Sequence, residues 1–268
     1  MAGGTSFYFS NAIRQMEVKY KLITALAETE KRFADKMIAD GIDVAVYPSK
    51  HTVFFENIYS YNLDHRTQRV RQTADPFNTS QLRVDAAYYH LGPLLADDMP
   101  LDVIEYLATK GKVSLDVQGF LRTVSEEEVL AIDWKEKLQA LPYIHTLKVN
   151  EQEMEVLTGT ADVEKAALML SDWGVKEVVM TFGSMGSVIY ANNNFYQIPA
   201  YPPAAAIDAT GCGDTYMAGY LYRRVKGDSP KAAGKFAAAM ASIKIANSGP
   251  FAGTEADVQE LLLNAVEV

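Results

Sequence analysis

Asp208-Ala209-Thr210-Gly211-Cys212-Gly213-Asp214, running into Thr215-Tyr216-Met217-Ala218-Gly219-Tyr220-Leu221, is the stretch that makes the remainder of the chain readable. A Gly-x-Gly turn, followed at once by Asp and then by a helical pattern, leaves backbone N–H groups free at a helix N-terminus. Those amides have no intrahelical acceptor and carry the positive end of the helix dipole. Glycine lets the backbone close on a ligand without a Cβ in the way, so a nest of this kind binds anions. An Asp at its mouth has two readings. It can cap the helix, a contribution of about 1 kcal/mol. It can also take the proton from a hydroxyl attacking a phosphoryl group while the amides stabilise the developing charge. The string alone leaves both open.

Outward from this stretch, short β-rich runs at 22–25, 87–91, 113–116, 146–149, 177–181 and 187–190 alternate with helical patterns. The latter cover 7–15, 30–40, 101–110, 151–157, 163–173 and 216–226. Such alternation predicts a mainly parallel sheet covered by helices on both faces, with its ligand site outside the carboxyl ends of the strands. The segment 42–73 breaks the rhythm. Strand-like pieces at 44–47, 52–59 and 66–70 are separated by Pro48-Ser49-Lys50 and Asn62-Leu63-Asp64, with no helix between them. Turn residues between alternating strands predict hairpins projecting from the main sheet, either a lid over the site or a plain sheet extension. One α/β domain built from 1–41 and 74–268, carrying a β segment at 42–73, is the expected organisation. The triplet Asn192-Asn193-Asn194 reads as a hairpin turn.

Composition narrows the function classes. The 268 residues carry 25 Lys and Arg against 34 Asp and Glu, a net charge of −9, which disfavours nucleic acid or an anionic membrane surface as main partner. It leaves phosphate binding open, because helix N-termini do that locally. The single cysteine, Cys212, excludes a disulfide framework and a multi-cysteine zinc site. His51, His65, His90 and His145 are scattered without metal-ligand spacing. No signal peptide or membrane-spanning run is present, and the chain reads as a cytoplasmic globular protein.

Four blocks, taken together, resemble the ribokinase-like (PfkB-type) carbohydrate kinases. They are Asp208 to Asp214, Asn150-Glu151-Gln152-Glu153, Thr181-Phe182-Gly183-Ser184-Met185-Gly186, and Gly3-Gly4-Thr5-Ser6-Phe7. The resemblance implies a three-layer α/β/α sandwich with a small β lid. It also implies transfer of a phosphoryl group from ATP, with Mg²⁺, to an alcohol of a sugar, polyol or nucleoside. By the same resemblance Asp214 is the base, and the amides of Gly211, Cys212 and Gly213 form the anion hole. Asn150 and Glu153 organise Mg²⁺ and phosphates through water. Thr181, Gly183, Gly186 and Asn247 lie along the nucleotide. Gly3, Gly4 and Tyr8 face the acceptor, and Asp208 and Thr210 hold a monovalent cation such as K⁺. Pairing into a homodimer through the lid is an arrangement the resemblance allows. An impaired nucleotide- or sugar-binding protein of the same fold is the alternative. A dinucleotide-dependent oxidoreductase is disfavoured, since no Gly-x-Gly-x-x-Gly follows a first strand.

The sequence departs from the family pattern in places. Cys212 replaces a usual Ala, but only its amide is needed and no His pairs with it as in nucleophilic catalysis. Tyr8 stands where a substrate-binding Asn is usual; a core tyrosine is the competing reading. Family members carry a strand ahead of the Gly-Gly pair, whereas Gly3 and Gly4 follow almost directly on Met1, so that strand is expected to be missing. Asp116, Gln118 and Arg122, after a strand end, are read as a structural turn or as ligand contacts. Tyr59, Tyr61 and the cluster Arg66, Arg69 and Arg71 sit on the expected lid.

Overall fold

The computed structural model describes residues 2–59 and 66–265. Its main sheet has six strands in the order Asn194–Ile198, Ser187–Ala191, Glu177–Thr181, Ile144–Asn150, Lys112–Asp116 and Tyr88–Leu91. The last four run parallel, and the first two return antiparallel. Side chains alternate across this sheet, as strand geometry requires. Val178 and Met180 pack with Ile104, Leu107, Met154 and Leu170 on one face. Val179 and Ile189 pack with Tyr216, Met217, Tyr220 and Ala237 on the other. Helices Leu101–Ala108, Glu151–Thr158 and Val163–Asp172 therefore cover one face, and Cys212–Val225 and Pro230–Ile245 the other. Gly4–Arg14 packs outside them through Ala12 and Ile13. This is the three-layer α/β/α sandwich.

Several elements escape the sequence pattern. Helix Pro230–Ile245 is alanine-rich and apolar nearly all round, so it shows no amphipathic stripe. It is nonetheless well signalled by Ser229, whose side chain accepts from the Ala232 amide, and by Pro230 at its first position. It lies so close to Cys212–Val225 that a Cβ on Gly219 would stand 2.6 Å from Met240 Sδ. The turn at Asn192-Asn193-Asn194, by contrast, was readable: the two-residue connection between Ser187–Ala191 and Asn194–Ile198 places Asn192 and Asn193 at φ 52° and 59°, a left-handed turn suited to asparagine.

A separate antiparallel sheet orders Phe54–Tyr59, Arg66–Gln72, Glu128–Ala131 and Arg122–Ser125. Two of its strands thus come from a stretch that gave no strand signal in sequence. Arg71 ties it together by pairing with Glu56 and Glu127. Val44–Pro48, inside the segment expected to form hairpins, instead lies parallel to Leu22–Leu26, because helix Lys31–Ala39 supplies the crossover between them. The Asn62-Leu63-Asp64 turn, Tyr61 and His65 lie outside the described residues, as do the side chains of Tyr59 and Arg66. A cleft of about 550 Å³, lined by Leu22, Ile23, Tyr88 and His90 among others, separates this parallel pair from the edge of the main sheet. No helix among the described residues is long and apolar enough to cross a membrane.

At the far end of the sheet Glu177, 4% exposed, accepts from Tyr220 Oη at 2.7 Å and pairs with Arg224. Burial alone would raise its carboxyl, but the hydrogen bonds from Arg224 and Tyr220 win and hold it below the usual range. This contact pins helix Cys212–Val225 to the sheet. Glu177→Ala strands a guanidinium and a phenol, so equilibrium urea unfolding should show a loss of about 3 kcal/mol. An unchanged midpoint would mean that the helix is held by apolar packing alone.

Candidate active site

The carboxyl ends of the parallel strands bring Asp116, Lys148, Asn150 and Thr181 to one edge, with Asp116 opposite Lys148 and Thr181 opposite Asn150 in register. Lys148 is only 5% exposed. A buried ammonium must be paired, and here it lies 3.0 Å from Asp116 Oδ2 and 3.5 Å from Glu153 Oε2. Burial works against its charge, but Asp116 and Glu153 outweigh burial and hold it above the ordinary lysine range.

Asn150 and Glu153 form a reciprocal cap on helix Glu151–Thr158. Asn150 Oδ1 accepts from the Glu153 amide at 2.8 Å, and Glu153 Oε2 accepts from the Asn150 amide at 2.8 Å. The spacing Asn-x-x-Glu is therefore a structural device as well as a candidate phosphate motif. Glu153 stands in the first helical turn but is only 8% exposed, and its Oε1 accepts from Gln118 Nε2 at 3.4 Å. Burial raises its carboxyl, and Lys148 opposes the rise. Asp116 accepts from the Gln118 amide at 3.1 Å, so the turn after this strand is structural and bears on the cluster at once.

Above this cluster stands the Gly211 turn. Gly211 has φ +78°, and a Cβ there would lie 2.2 Å from Tyr8 Cδ1, so glycine is required twice over. The first hydrogen bond of the helix runs from Thr215 N to Gly211 O at 2.9 Å. Among the described residues the amides of Gly213 and Asp214 meet no protein acceptor. That of Cys212 is turned into the loop, donating to Ala209 O at 3.2 Å. Of the three amides expected to line an anion hole, that of Cys212 is therefore engaged within the loop. The Lys148 ammonium lies 3.4 Å from where a Gly213 Cβ would be, so its charge sits directly under the turn.

Asp214 faces the same space. Burial pushes its carboxyl up to about 6, and the charge on Asp116 adds to the rise, against a hydrogen bond from Thr5 and the charge of Lys148. Thr5 belongs to the first turn of helix Gly4–Arg14, where Gly4 takes φ +72°, and its side chain would meet a Cβ on Gly92 at 2.3 Å. Two helix N-termini therefore converge on Asp214. Tyr8, expected in the acceptor pocket, is 6% exposed, and its ring lies against Gly211 and 5.9 Å from the Lys244 ammonium. The core reading of Tyr8 fits this placement, because the ring forms the floor of the turn. The Cys212 thiol is pushed up to about 11 by burial, with Lys244 opposing, which leaves it a poor nucleophile at neutral pH.

This constellation sits in a chain whose residues 31–257 match the model of the pfkB family of carbohydrate kinases. The chain belongs to the pfkB family. A cytidine kinase of Thermococcus kodakarensis is 32% identical over 140 residues, covering 52% of this chain and 48% of its own length. A ribokinase of Arabidopsis thaliana is 32% identical over 162 residues, 58% of this chain and 40% of its own. The chain thus spans less than half the length of these curated relatives. Among solved structures, a pyrophosphate-dependent kinase in the ribokinase family, complexed with a pyrophosphate analog and myo-inositol, superposes with TM-score 0.85. It is 30% identical, over 96% of this chain and 91% of that one. Arabidopsis ribokinase complexed with ribose and ATP superposes at 0.76 with 21% identity, over 97% and 86%, which speaks to the shared fold.

The other positions named in the sequence lie at a strand end, in the turn that follows it, and in the loops around helix Pro230–Ile245. Thr181 closes its strand with Oγ1 3.5 Å from Val149 O. Gly183 and Gly186 take φ +56° and +91°, and a Cβ on Gly186 would lie 2.2 Å from Ile198 O, so the turn itself demands Gly186. Asn247 is exposed and donates from Nδ2 to Ile243 O at 3.2 Å, closing the end of helix Pro230–Ile245. Asp208 turns back on the Thr210 amide at 2.9 Å. Sequence reading passed over Thr5, Lys148 and Lys244. The signal was available for both lysines: each is a lone charge inside an apolar run, Leu147-Lys148-Val149 and Ile243-Lys244-Ile245.

A carboxyl held near 6 in the fold but near 4 when unfolded costs stability once it ionises. In the protein itself the folded state binds the extra proton between about pH 4 and 6, so stability falls as pH rises through that window. Asp214→Asn removes this cost. Its thermal midpoint should exceed that of the parent above pH 6 by an amount equivalent to about 1–3 kcal/mol, and the gap should close below pH 4. A variant less stable than the parent at pH 8 would contradict the raised carboxyl.

Proposed function

We propose that the chain transfers a phosphoryl group to an alcohol of a sugar, polyol or nucleoside, with Asp214 as general base. The observation that carries this reading is the position of Asp214: a carboxyl pushed up to about 6, on the first turn of a helix whose open amides lie over a buried ammonium. A base poised near working pH can accept the proton as the hydroxyl attacks. The amides of Gly211 and Gly213 and the charge of Lys148 would stabilise the oxygens of the group in transfer, in a site where water is largely displaced. Thr5 holds the Asp214 carboxylate in place. Gly3 and Gly4, at the head of the same helix, leave backbone open toward the acceptor.

ATP is the proposed donor, along Thr181, Gly183, Gly186 and Asn247. Mg²⁺ would accompany its phosphates and neutralise their charge. Glu153 fits such an ion through water rather than directly, because Oε2 is shared between the Asn150 amide and Lys148. Pyrophosphate is the second reading. It is favoured by the 30% identity and TM-score 0.85 to the pyrophosphate-dependent kinase, against 21% and 0.76 for the ATP-bound ribokinase. The four-stranded sheet leaves the main sheet just after Asp116 and the short turn Val117–Leu121, and in this proposal it closes over the acceptor. Phe54 and Leu130, 52% and 45% exposed, support pairing of two chains through the same sheet.

The test is donor consumption over a panel of sugars, polyols and nucleosides, run with Mg²⁺ and either ATP or pyrophosphate. Acceptor-dependent turnover is expected with one donor, and Asp214→Asn should lower it about 10²–10⁴-fold. The acid limb of kcat/KM should fall with an apparent pKa near 6. Donor binding without turnover on any acceptor would replace this reading with that of a binding protein of the same fold.

A further inference from the structure

The loop that carries Asp214 rests on the last turn of helix Pro230–Ile245. The amides of Ile207 and Asp208 both reach Ile245 O, at 2.8 and 3.2 Å. Between loop and helix lies Lys244, only 1% exposed. Its ammonium donates to the backbone carbonyl of Asp208 at 2.7 Å and stands 3.4 Å from Asp208 Oδ2. The other Asp208 oxygen is taken by the Thr210 amide at 2.9 Å. The Tyr8 ring, itself packed on Gly211, lies 5.9 Å from the same ammonium.

A carbonyl oxygen and a carboxylate oxygen of one residue, converging on one point under a loop, are ligands of the kind a monovalent cation takes. Here both already serve a covalently attached cation. A K⁺ ion brought to Asp208 would meet a fixed like charge within a few ångströms and would find its oxygens occupied. The residues present therefore do not fit the K⁺ expected at Asp208 and Thr210. We propose that the Lys244 ammonium takes the place of that ion, ordering the Asp208–Asp214 loop without any monovalent cation from solution. Lys244 acts as a positioning residue, through Asp208 and the Gly211 turn, and makes no contact of its own with the reacting groups. The kinetic part of this inference rests on the kinase reading above; the structural part does not.

Thermal unfolding and donor turnover would be measured in chloride salts of K⁺, NH₄⁺, Na⁺ and tetramethylammonium at one ionic strength, the last being too large for the pocket. For the parent chain, midpoint and rate should be the same in K⁺ and tetramethylammonium, within 1 °C and twofold. Lys244→Ala opens the pocket. Its midpoint should fall by several degrees in tetramethylammonium and recover, saturably, with K⁺ or NH₄⁺, and any turnover should recover at least tenfold with them. Lys244→Met fills the space without charge and should gain nothing from either ion. Stabilisation or tenfold activation of the parent by K⁺ would overturn the proposal, as would a Lys244→Ala chain indifferent to every cation. If Lys244→Ala does not fold, the parent's response and that of Lys244→Met still decide. If no donor is ever consumed, the kinase reading fails while the unfolding measurements continue to judge Lys244.

Discussion

A single buried ammonium, that of Lys148, holds the working end of this molecule together. Removing a lysine from water costs several kcal/mol unless its charge is answered at close range, and the answer comes from two different elements. Asp116 ends one strand and Glu153 opens the helix that follows the next, so the strand order 144–150 beside 112–116 is what lets them meet. The ion pairs in turn fix the angle at which helix Glu151–Thr158 leaves its strand, because Glu153 also caps that helix. Two carboxylates sharing one cation leave a residual negative field. Asp214, facing the cluster across the Gly213 turn, feels that field from Asp116 in addition to its own burial. The raised carboxyl that the proposed base role of Asp214 draws on thus comes first from burial and then from a charge placed by the neighbouring strands.

The same logic explains how a chain with net charge −9 could serve the anion-binding role proposed for this end of the sheet. Surface charge contributes little in a cleft whose walls exclude water, whereas fixed groups at short range dominate. The structure supplies open amides at helix starts and one ammonium beneath them, all already desolvated when the chain folds. An arriving phosphate would exchange its hydration for groups that need not reorganise. The cost was borne in folding, through ion pairs and caps that hold those groups in place.

The layered α/β fold was legible because its signal is local. Alternating apolar runs mark strands such as Glu177–Thr181, and helical stripes mark those such as Val163–Asp172. The elements that escaped are those whose identity depends on partners. Arg122–Ser125 and Glu128–Ala131 are short, and they become strands by pairing with each other and joining Arg66–Gln72 where Arg69 lies opposite Glu128. Val44–Pro48 looked like a hairpin strand until the crossover helix before it decided its partner. At the site, the glycines and acids were readable from motif spacing, since turns and caps are written in adjacent residues. Lys148 and Lys244 show in sequence only as lone charges in apolar runs, and the carboxylate or carbonyl that gives each its role is distant in sequence.

The two lysines differ in a way that bears on how the site tolerates change. Lys148 answers to three groups, Asp116, Glu153 and the turn at Gly213, and its loss would leave two buried carboxylates facing each other. Neutralising one of them by protonation would then be cheaper than keeping both charged, which would rewrite the field at Asp214. Lys244 answers to one residue, Asp208, whose side chain reaches solvent at its other edge. A mobile ion could substitute for Lys244 because the pocket asks only for charge at one point. No mobile ion could substitute for Lys148, because the pocket there asks for a cation tethered to the strand that also supplies Asn150. The electrostatics of the site are in this sense divided between a charge that belongs to the fold and a charge that belongs to the loop.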